Sequence, residues 1–498
     1  MRKANIEDQG SRIRGSVGML TTVAATMAAA VALAQQPFDL DPSFGTGIQQ
    51  QYVSSIHPLA EGKLLISGLF QLPALSGNYT LSRLNSDGTR DVSFNSSGLG
   101  QGKLTAWTDR FYVGTNQTVR RVLLQGVQDP TFIEMNDGPY FSSLQGGDYH
   151  VFPDGRVLMS GTHALSDTAR GFAGLYDLVW FTNTGYLDTT RTHRQSNGVL
   201  YEFEQTTDGK FLCTGTMTTY ENHPVARIFR IQPDGDLDIS FEANIDDNWG
   251  EAFVFRTLDN GMILAGGMFR QGGSTADTLC LIRLNSSGEL DPSFEQLRFK
   301  ATFTAGSPIP YVVDILPMAD GRYVITGRFD RINDEERGGI ALIGSDGELL
   351  EDAFAGEGCG PYDYQGTIYK SISGIVPIDD GSYYIHGAYH GYDDGTTNDT
   401  QQRMVSRLFG LDVGMQESDG AERVHLYPDP TGSNATLQLD ALPRSATLVV
   451  RDALGREVQR RRITDHYTTL TLQGASGVFM VEVWDANGRI ATERLVVE

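Results

Sequence analysis

The chain has 498 residues, 40% of them hydrophobic, and a formal net charge of -23. Residues 35–420 hold that charge, with 26 basic against 50 acidic side chains. A surface this acidic repels phosphate backbones and anionic lipid heads, which excludes nucleic acid as a partner. Three cysteines (Cys213, Cys280, Cys359) with no Cys-x-x-Cys spacing exclude a disulfide framework.

Residues 1–34 read as a secretory signal peptide. Arg12 and Arg14 are its basic flank, and Val17 to Ala34 is its apolar, alanine-rich run. The small-x-small pattern Ala32-Leu33-Ala34 predicts cleavage between Ala34 and Gln35. Three threonines in the run and the cleavage pattern argue against a membrane anchor. Met19 is an alternative start.

From Phe38 a repeat takes over. A polar turn precedes a short apolar strand seven times: before LLISG, FYVGT, VLMSG, FLCTG, MILAGG, YVITG and YYIHG, with a glycine in six of the turns. The second of these turns, Thr108-Asp109-Arg110, lacks the glycine. The last five turn glycines, Gly155, Gly209, Gly261, Gly321 and Gly381, step by 54, 52, 60 and 60 residues. Asp-Gly and Asn-Gly suit tight hairpins in which both central residues take positive φ. A tag recurs in phase: Asp41-Pro42-Ser43-Phe44, Asp91-Val92-Ser93-Phe94, Asp129-Pro130-Thr131-Phe132, Asp238-Ile239-Ser240-Phe241, Asp291-Pro292-Ser293-Phe294 and Asp352-Ala353-Phe354. A degenerate copy is Leu187-Asp188-Thr189.

Periods of this length mean blades or solenoid coils, and about four short strands per copy favour blades. The first tag precedes any hairpin, and the seventh copy ends at Phe409 with no tag after it. The segment Phe38 to Phe44 is therefore expected to complete the last blade and close the ring. The predicted fold class is all-β: a seven-bladed β-propeller over residues 35–410, followed by a small immunoglobulin-like β-sandwich.

Arg83 to Phe94 (RLNSDGTRDVSF) and Arg283 to Phe294 resemble the delta-60 repeat family of bacterial secreted proteins. The resemblance covers roughly residues 37–411 and implies a propeller-like fold. It implies no activity and no catalytic residue. Lys103 to Phe132 and Val151 to Asp188 depart most from the pattern.

Residues 411–423 read as a polar linker. Seven strand-like runs between Val424 and Val497 then predict the sandwich. Its motifs are Tyr427-Pro428-Asp429-Pro430, a turn ending in Gly455-Arg456, and Gly477-Val478-Phe479. In that order, at the C-terminus, they resemble the type A sorting domain of the Bacteroidetes type IX secretion system. Asp429 replaces the usual Asn of the opening motif. The resemblance implies periplasmic passage, the export machinery as partner of residues 424–498, and delivery to the cell surface or medium.

No nucleophile elbow, zinc-helix motif, phosphate loop or EF-hand loop occurs, so no catalytic residue is assigned. His386 and His390 lie in a strand-like run, where their spacing sets them ~13 Å apart, too far to share a metal. No cofactor is expected, with one candidate exception: Asp393, Asp394, Asn398 and Asp399 offer loop oxygens to calcium. Tyr362, Tyr364, Tyr389 and Tyr392, with Asp393, suggest a sugar-binding platform of apolar faces and carboxylate acceptors. The expected role is non-catalytic binding or scaffolding by a monomer, with a surface glycan or protein as ligand. The alternative is a glycan-acting enzyme with its site in the propeller channel, which a cluster of inward acids with raised pKa would favour.

Overall fold

The computed structural model describes residues 37–96, 98–245, 250–270, 278–303, 309–351, 353–354, 356–410, 424–428, 430–432, 434–439, 446–452, 456–472, 476–484 and 489–497. The signal peptide with its Ala34/Gln35 cut, the linker, Asp352, Asp429 and Gly455 lie outside them. Among the described residues the regular structure is strand, apart from two short 3-10 turns.

Seven antiparallel sheets follow one another along the chain. Their first strands are Gln49–Pro58, Leu104–Trp107, Phe141–Val151, Leu200–Gln205, Gly250–Thr257, Tyr311–Pro317 and Ser371–Pro377. Each sheet adds a middle strand that is almost wholly buried, such as Leu64–Gln71 or Phe211–Gly215. A third strand follows, for example Tyr79–Leu84 or Ile228–Ile231. Runs such as Phe211-Leu212-Cys213 are apolar on both sides because neighbouring sheets cover both faces of a middle strand. Cys213, Cys280 and Cys359 are free and buried, and burial raises each thiol, so all three are core residues.

The turns before the middle strands differ from the two-residue hairpins expected. Gly155, Gly209, Gly261, Gly321 and Gly381 take φ between 81° and 86°, while the preceding Asp or Asn keeps negative φ. In the third sheet Gly155 N donates to Phe152 O and Phe152 N to Arg156 O. That is a type I turn followed by one left-handed glycine, the three-residue solution to the same strand twist.

A fourth, outer element closes each sheet. In five sheets it is a single bridge just before the tag: Leu84 with Arg90, Val122 with Gln128, Phe181 with Leu187, Ile231 with Leu237 and Leu284 with Leu290. In the sixth, Leu349–Leu350 pairs with Leu342 and Ile343. In the seventh the partner comes from the other end of the chain, where Leu40 bridges Leu408 antiparallel. Phe38 N donates to Phe409 O at 3.0 Å, Asp41 N to Arg407 O at 2.9 Å and Phe409 N to Asp39 O at 2.9 Å. Each sheet also packs on the next, and the seventh packs on the first. The first strands therefore form the inner ring.

The tags are clasps between sheets. In Asp91-Val92-Ser93-Phe94, Asp91 Oδ1 accepts Ser93 N and Oγ, while Oδ2 accepts Arg83 Nε at 2.9 Å. Arg83 lies over the Phe94 ring and donates from Nη1 to Leu124 O in the next sheet's turn. Arg121, Arg230 and Arg283 repeat this, reaching Asn183 O, Ser286 O and Ser345 O. In the third sheet Trp180 stands at the arginine position and presses on Gly235 of the fourth sheet's turn, where φ is +91°. Burial works against ionisation of Asp129, but hydrogen bonds from Thr131 and Arg121 win and hold it down at about 2.

Residues 424–497 form two further sheets, one of Val424–Tyr427, Asn434–Leu439 and Tyr467–Thr471. The other runs in the order Glu457–Arg462, Thr447–Asp452, Gly477–Trp484, Arg489–Val497. Leu437, Leu448, Val450, Leu470, Phe479, Val481, Val483 and Leu495 fill the space between them.

Candidate functional site

The predicted tyrosine platform does not form an open shelf. Tyr389 and Tyr392 are fully buried in the core of the seventh sheet, and Tyr389 donates to Ser406 Oγ at 2.8 Å. They lie on Tyr383–Asp393, a middle strand covered on both faces. Tyr362 is buried too, stacked on His390 at 4.1 Å and on Tyr369 at 5.3 Å, with its hydroxyl on Gln51 O. Tyr364 alone of the four tyrosines is half-buried, on the hairpin Tyr362–Tyr364/Thr367–Tyr369. Asp393 holds the next turn, accepting Gly395 N and Asn398 Nδ2.

The other acids of that loop are used locally. Asp394 accepts Thr396 N, Thr397 N and, from the closing segment, Leu40 N at 2.7 Å. Asp399 accepts Gln401 N and Gln402 Nε2. Among the described residues no three His, Cys, Asp or Glu side chains are grouped to hold a metal ion.

Polar side chains meet instead on the inner ring. Lys103, just before its first strand, reaches Asp148 of the third sheet at 3.0 Å to both oxygens. Asp148 also hydrogen-bonds Glu202 of the fourth sheet. Two residues on, Glu204 receives Arg256 Nη1 of the fifth sheet at 2.8 Å. Arg256 Nη2 reaches Asp314 of the sixth sheet at 2.7 Å, and Asp314 Oδ2 accepts Ile375 N of the seventh at 3.1 Å. His386 Nδ1 donates to Val53 O of the first sheet at 3.1 Å, and Ser54 Oγ donates to Gln101 O at 2.6 Å. A polar belt thus passes from sheet to sheet all the way round. Gly374 makes room in it, since a Cβ there would lie 2.6 Å from His386 Nε2.

The belt is solvated on one side only. The Lys103 side chain is 50% exposed and Asp148 only 6%; Glu204 is 37% and Arg256 30% exposed. Burial, then the Asp148 charge, pushes the Glu202 carboxyl well above the usual range, which favours its protonated form. Burial also raises Glu204, opposed by Arg256. Burial and then Lys103 lower His150 to about 4, leaving a neutral ring beside the pair. The site therefore offers fixed cations, carboxylates and one proton donor within a few ångströms.

None of these groups lies in a recognised motif. One signal was available: Asp148, Glu202 and Asp314 each stand seven residues before a turn glycine (Gly155, Gly209, Gly321). Glu204 and Arg256 stand five before Gly209 and Gly261. Equal offsets in a repeat are equal positions in the ring.

The sorting-motif residues are placed as follows. Tyr427, Pro428 and Pro430 are exposed at the end of the first strand of the C-terminal unit. Arg456 closes a turn, with N and Nε on the two Asp452 oxygens. Gly477, with φ +114°, opens a strand, and Phe479 is core.

No match is found among curated proteins. Among solved structures, PorZ, a surface component of the type IX secretion system of Porphyromonas gingivalis, is 14% identical, with TM-score 0.32, over 88% of this chain and 68% of that one. A protein of unknown function from Bacteroides caccae is 15% identical, with TM-score 0.30, over 58% and 92%. A polysaccharide lyase of family PL25 is 8% identical, with TM-score 0.31, over 76% and 96%. Residues 60–94, 206–241, 258–294 and 319–349 match the family model described as "Domain of unknown function (DUF5122) beta-propeller". Those segments are the turn, middle strand and third strand of the first, fourth, fifth and sixth sheets, and the match identifies this part of the all-β chain as a β-propeller.

Proposed function

We propose that the protein is an exported monomeric β-propeller of seven blades whose inner belt binds a surface ligand without chemical change. The observation that carries this reading is the convergence of Lys103, Glu202, Glu204 and Arg256, from three sheets, on one solvent-reaching site inside a closed ring. Convergent polar groups in a concavity are the usual mark of a ligand site. Alternating donors and acceptors suit a polyhydroxylated ligand, so a surface glycan is the ligand class. Residues 424–498 would serve as an immunoglobulin-like type IX sorting domain, carrying the chain through the periplasm to the surface. Tyr427, Pro428, Pro430, Gly455, Arg456, Gly477 and Phe479 support that reading.

The test is binding of the chain Gln35–Ser418 to a broad glycan array, with calcium and with chelator. Specific binding that weakens in Arg256→Ala supports the reading. A blank array, or signal indifferent to Arg256, overturns it. For export, a chain ending at Ser418 is expected to accumulate in the periplasm, and normal surface display would refute the sorting role.

A glycan-acting enzyme is the second reading, favoured by the raised Glu202 carboxyl beside Asp148. Glu202→Gln should then abolish turnover of a bound sugar while leaving its binding intact. No turnover of any bound sugar by the parent chain would exclude it.

A further inference from the structure

The C-terminal sheet ends on one side in the strand Glu457–Arg462 (EVQRRR), which is paired only to Thr447–Asp452. Its outer edge is therefore unpaired among the described residues. Five of its six side chains are exposed, Gln459 is half-buried, and none joins the core beneath.

The register sorts its charges. Residues directly opposite in a ladder share a face. Arg460 faces Val449 and Arg462 faces Thr447, away from the core, whereas Arg461 faces the core residue Leu448. The same outward face carries Arg451, Met480, Glu482 and Trp484 across the sheet, and Arg494 beyond Met480. Arg451 pairs with Glu482 at 3.2 Å and Arg460 with Glu457 at 2.8 Å. Arg461 and Arg462 have no ion-pair partner among the described residues. In a chain of net charge -23 this is a concentrated cationic surface.

We infer that this edge is a docking strand for an extended, acidic segment of a partner protein, which adds alongside Glu457–Arg462. Alternate residues of a strand stand about 6.7 Å apart on one face. Carboxylates at every second position of an incoming strand would thus meet Arg460 and Arg462 in register, while its backbone takes up the open N–H and C=O groups. Charge on an edge strand also deters self-pairing, but that needs one or two cations on either face and no register. The inference rests on the geometry of this sheet and stands apart from the export reading.

The test uses the full chain and fluorescence anisotropy with three labelled octapeptides. The first alternates Glu and Val, the second alternates Lys and Val, and the third alternates Glu and Pro. The third keeps the charge, but proline lacks the N–H at every second position and locks φ at about -65°, so the peptide cannot lie as a regular extended strand along the edge. Binding of the Glu–Val peptide alone, weakening as salt rises, is the expected result. Arg462→Glu should weaken it about tenfold, and Arg461→Glu, on the other face, by much less. Arg462→Gln, which removes charge without reversing it, should fall between parent and Arg462→Glu; melting of each variant checks that the fold is kept. No binding of the Glu–Val peptide overturns the proposal. So does equal binding of the Glu–Pro peptide, or equal loss in the two Glu variants.

Discussion

Phe38→Ala reads out whether the first tag holds the ring shut. Phe38 is 2% exposed, with its ring 4.5 Å from Phe354 and 5.3 Å from Tyr383. Truncating a buried phenylalanine costs about 3–5 kcal/mol. Unfolding entropy of ~2.1 cal/mol/K per residue, over roughly 370 residues, makes that a fall in Tm of roughly 5 °C. Deleting residues 37–44 should lower it much further, because it also removes the hydrogen bonds to Arg407 and Phe409 and the buried Phe44. Scanning calorimetry at several scan rates is the assay, since large repeat proteins often unfold irreversibly. Val92→Ala, at a position 81% exposed, is the control and should change nothing. A Phe38→Ala melt within about 1 °C of the parent would refute closure by this segment. So would a deletion that melts like the parent.

Two further outcomes follow from the geometry. Gly235→Ala would set a Cβ 2.5 Å from the Trp180 ring at φ +91°, and should lower stability by about 2 kcal/mol in urea unfolding. Gly261→Ala, with open space and φ +81°, should cost only about 1 kcal/mol of backbone strain; equal costs would show that the Trp180 contact is unimportant. Glu202 takes up a proton on folding, because burial and then Asp148 raise its carboxyl above 4.5. Its contribution to stability therefore declines as pH rises past that value. Glu202→Gln should gain on the parent as pH rises above 4.5, and parallel stability–pH curves would contradict a raised Glu202 carboxyl.

The fold was legible where sequence is tied to backbone geometry. The turn glycines marked every middle strand but the second, and the misplaced first tag announced the bridge from Leu40 to Leu408. Seven strands are present after Val424, the number expected from the strand-like runs. Turn type was misread because Asp-Gly fits both a two-residue turn and a three-residue turn with one left-handed glycine. The tyrosine platform failed because a middle strand is covered on both faces, so alternation cannot tell shelf from core there. Tyr389 and Tyr392 are large enough to look like a ligand surface and are packing instead. The belt was missed because its members lie about 50 residues apart in five copies, and only an offset from the turn glycines unites those beyond Lys103.

The bridge at Leu408 also sets how the molecule bears load. A tension drawn through residue 410 falls first on the strand Asn398–Leu408. With neighbours on one side only, that strand would peel, breaking its hydrogen bonds one at a time. Near its pulled end it is instead gripped from both sides, by Tyr383–Asp393 and by the first tag. Two sets of bonds must yield there where one otherwise would, so a tug on the chain's tail is met by its head.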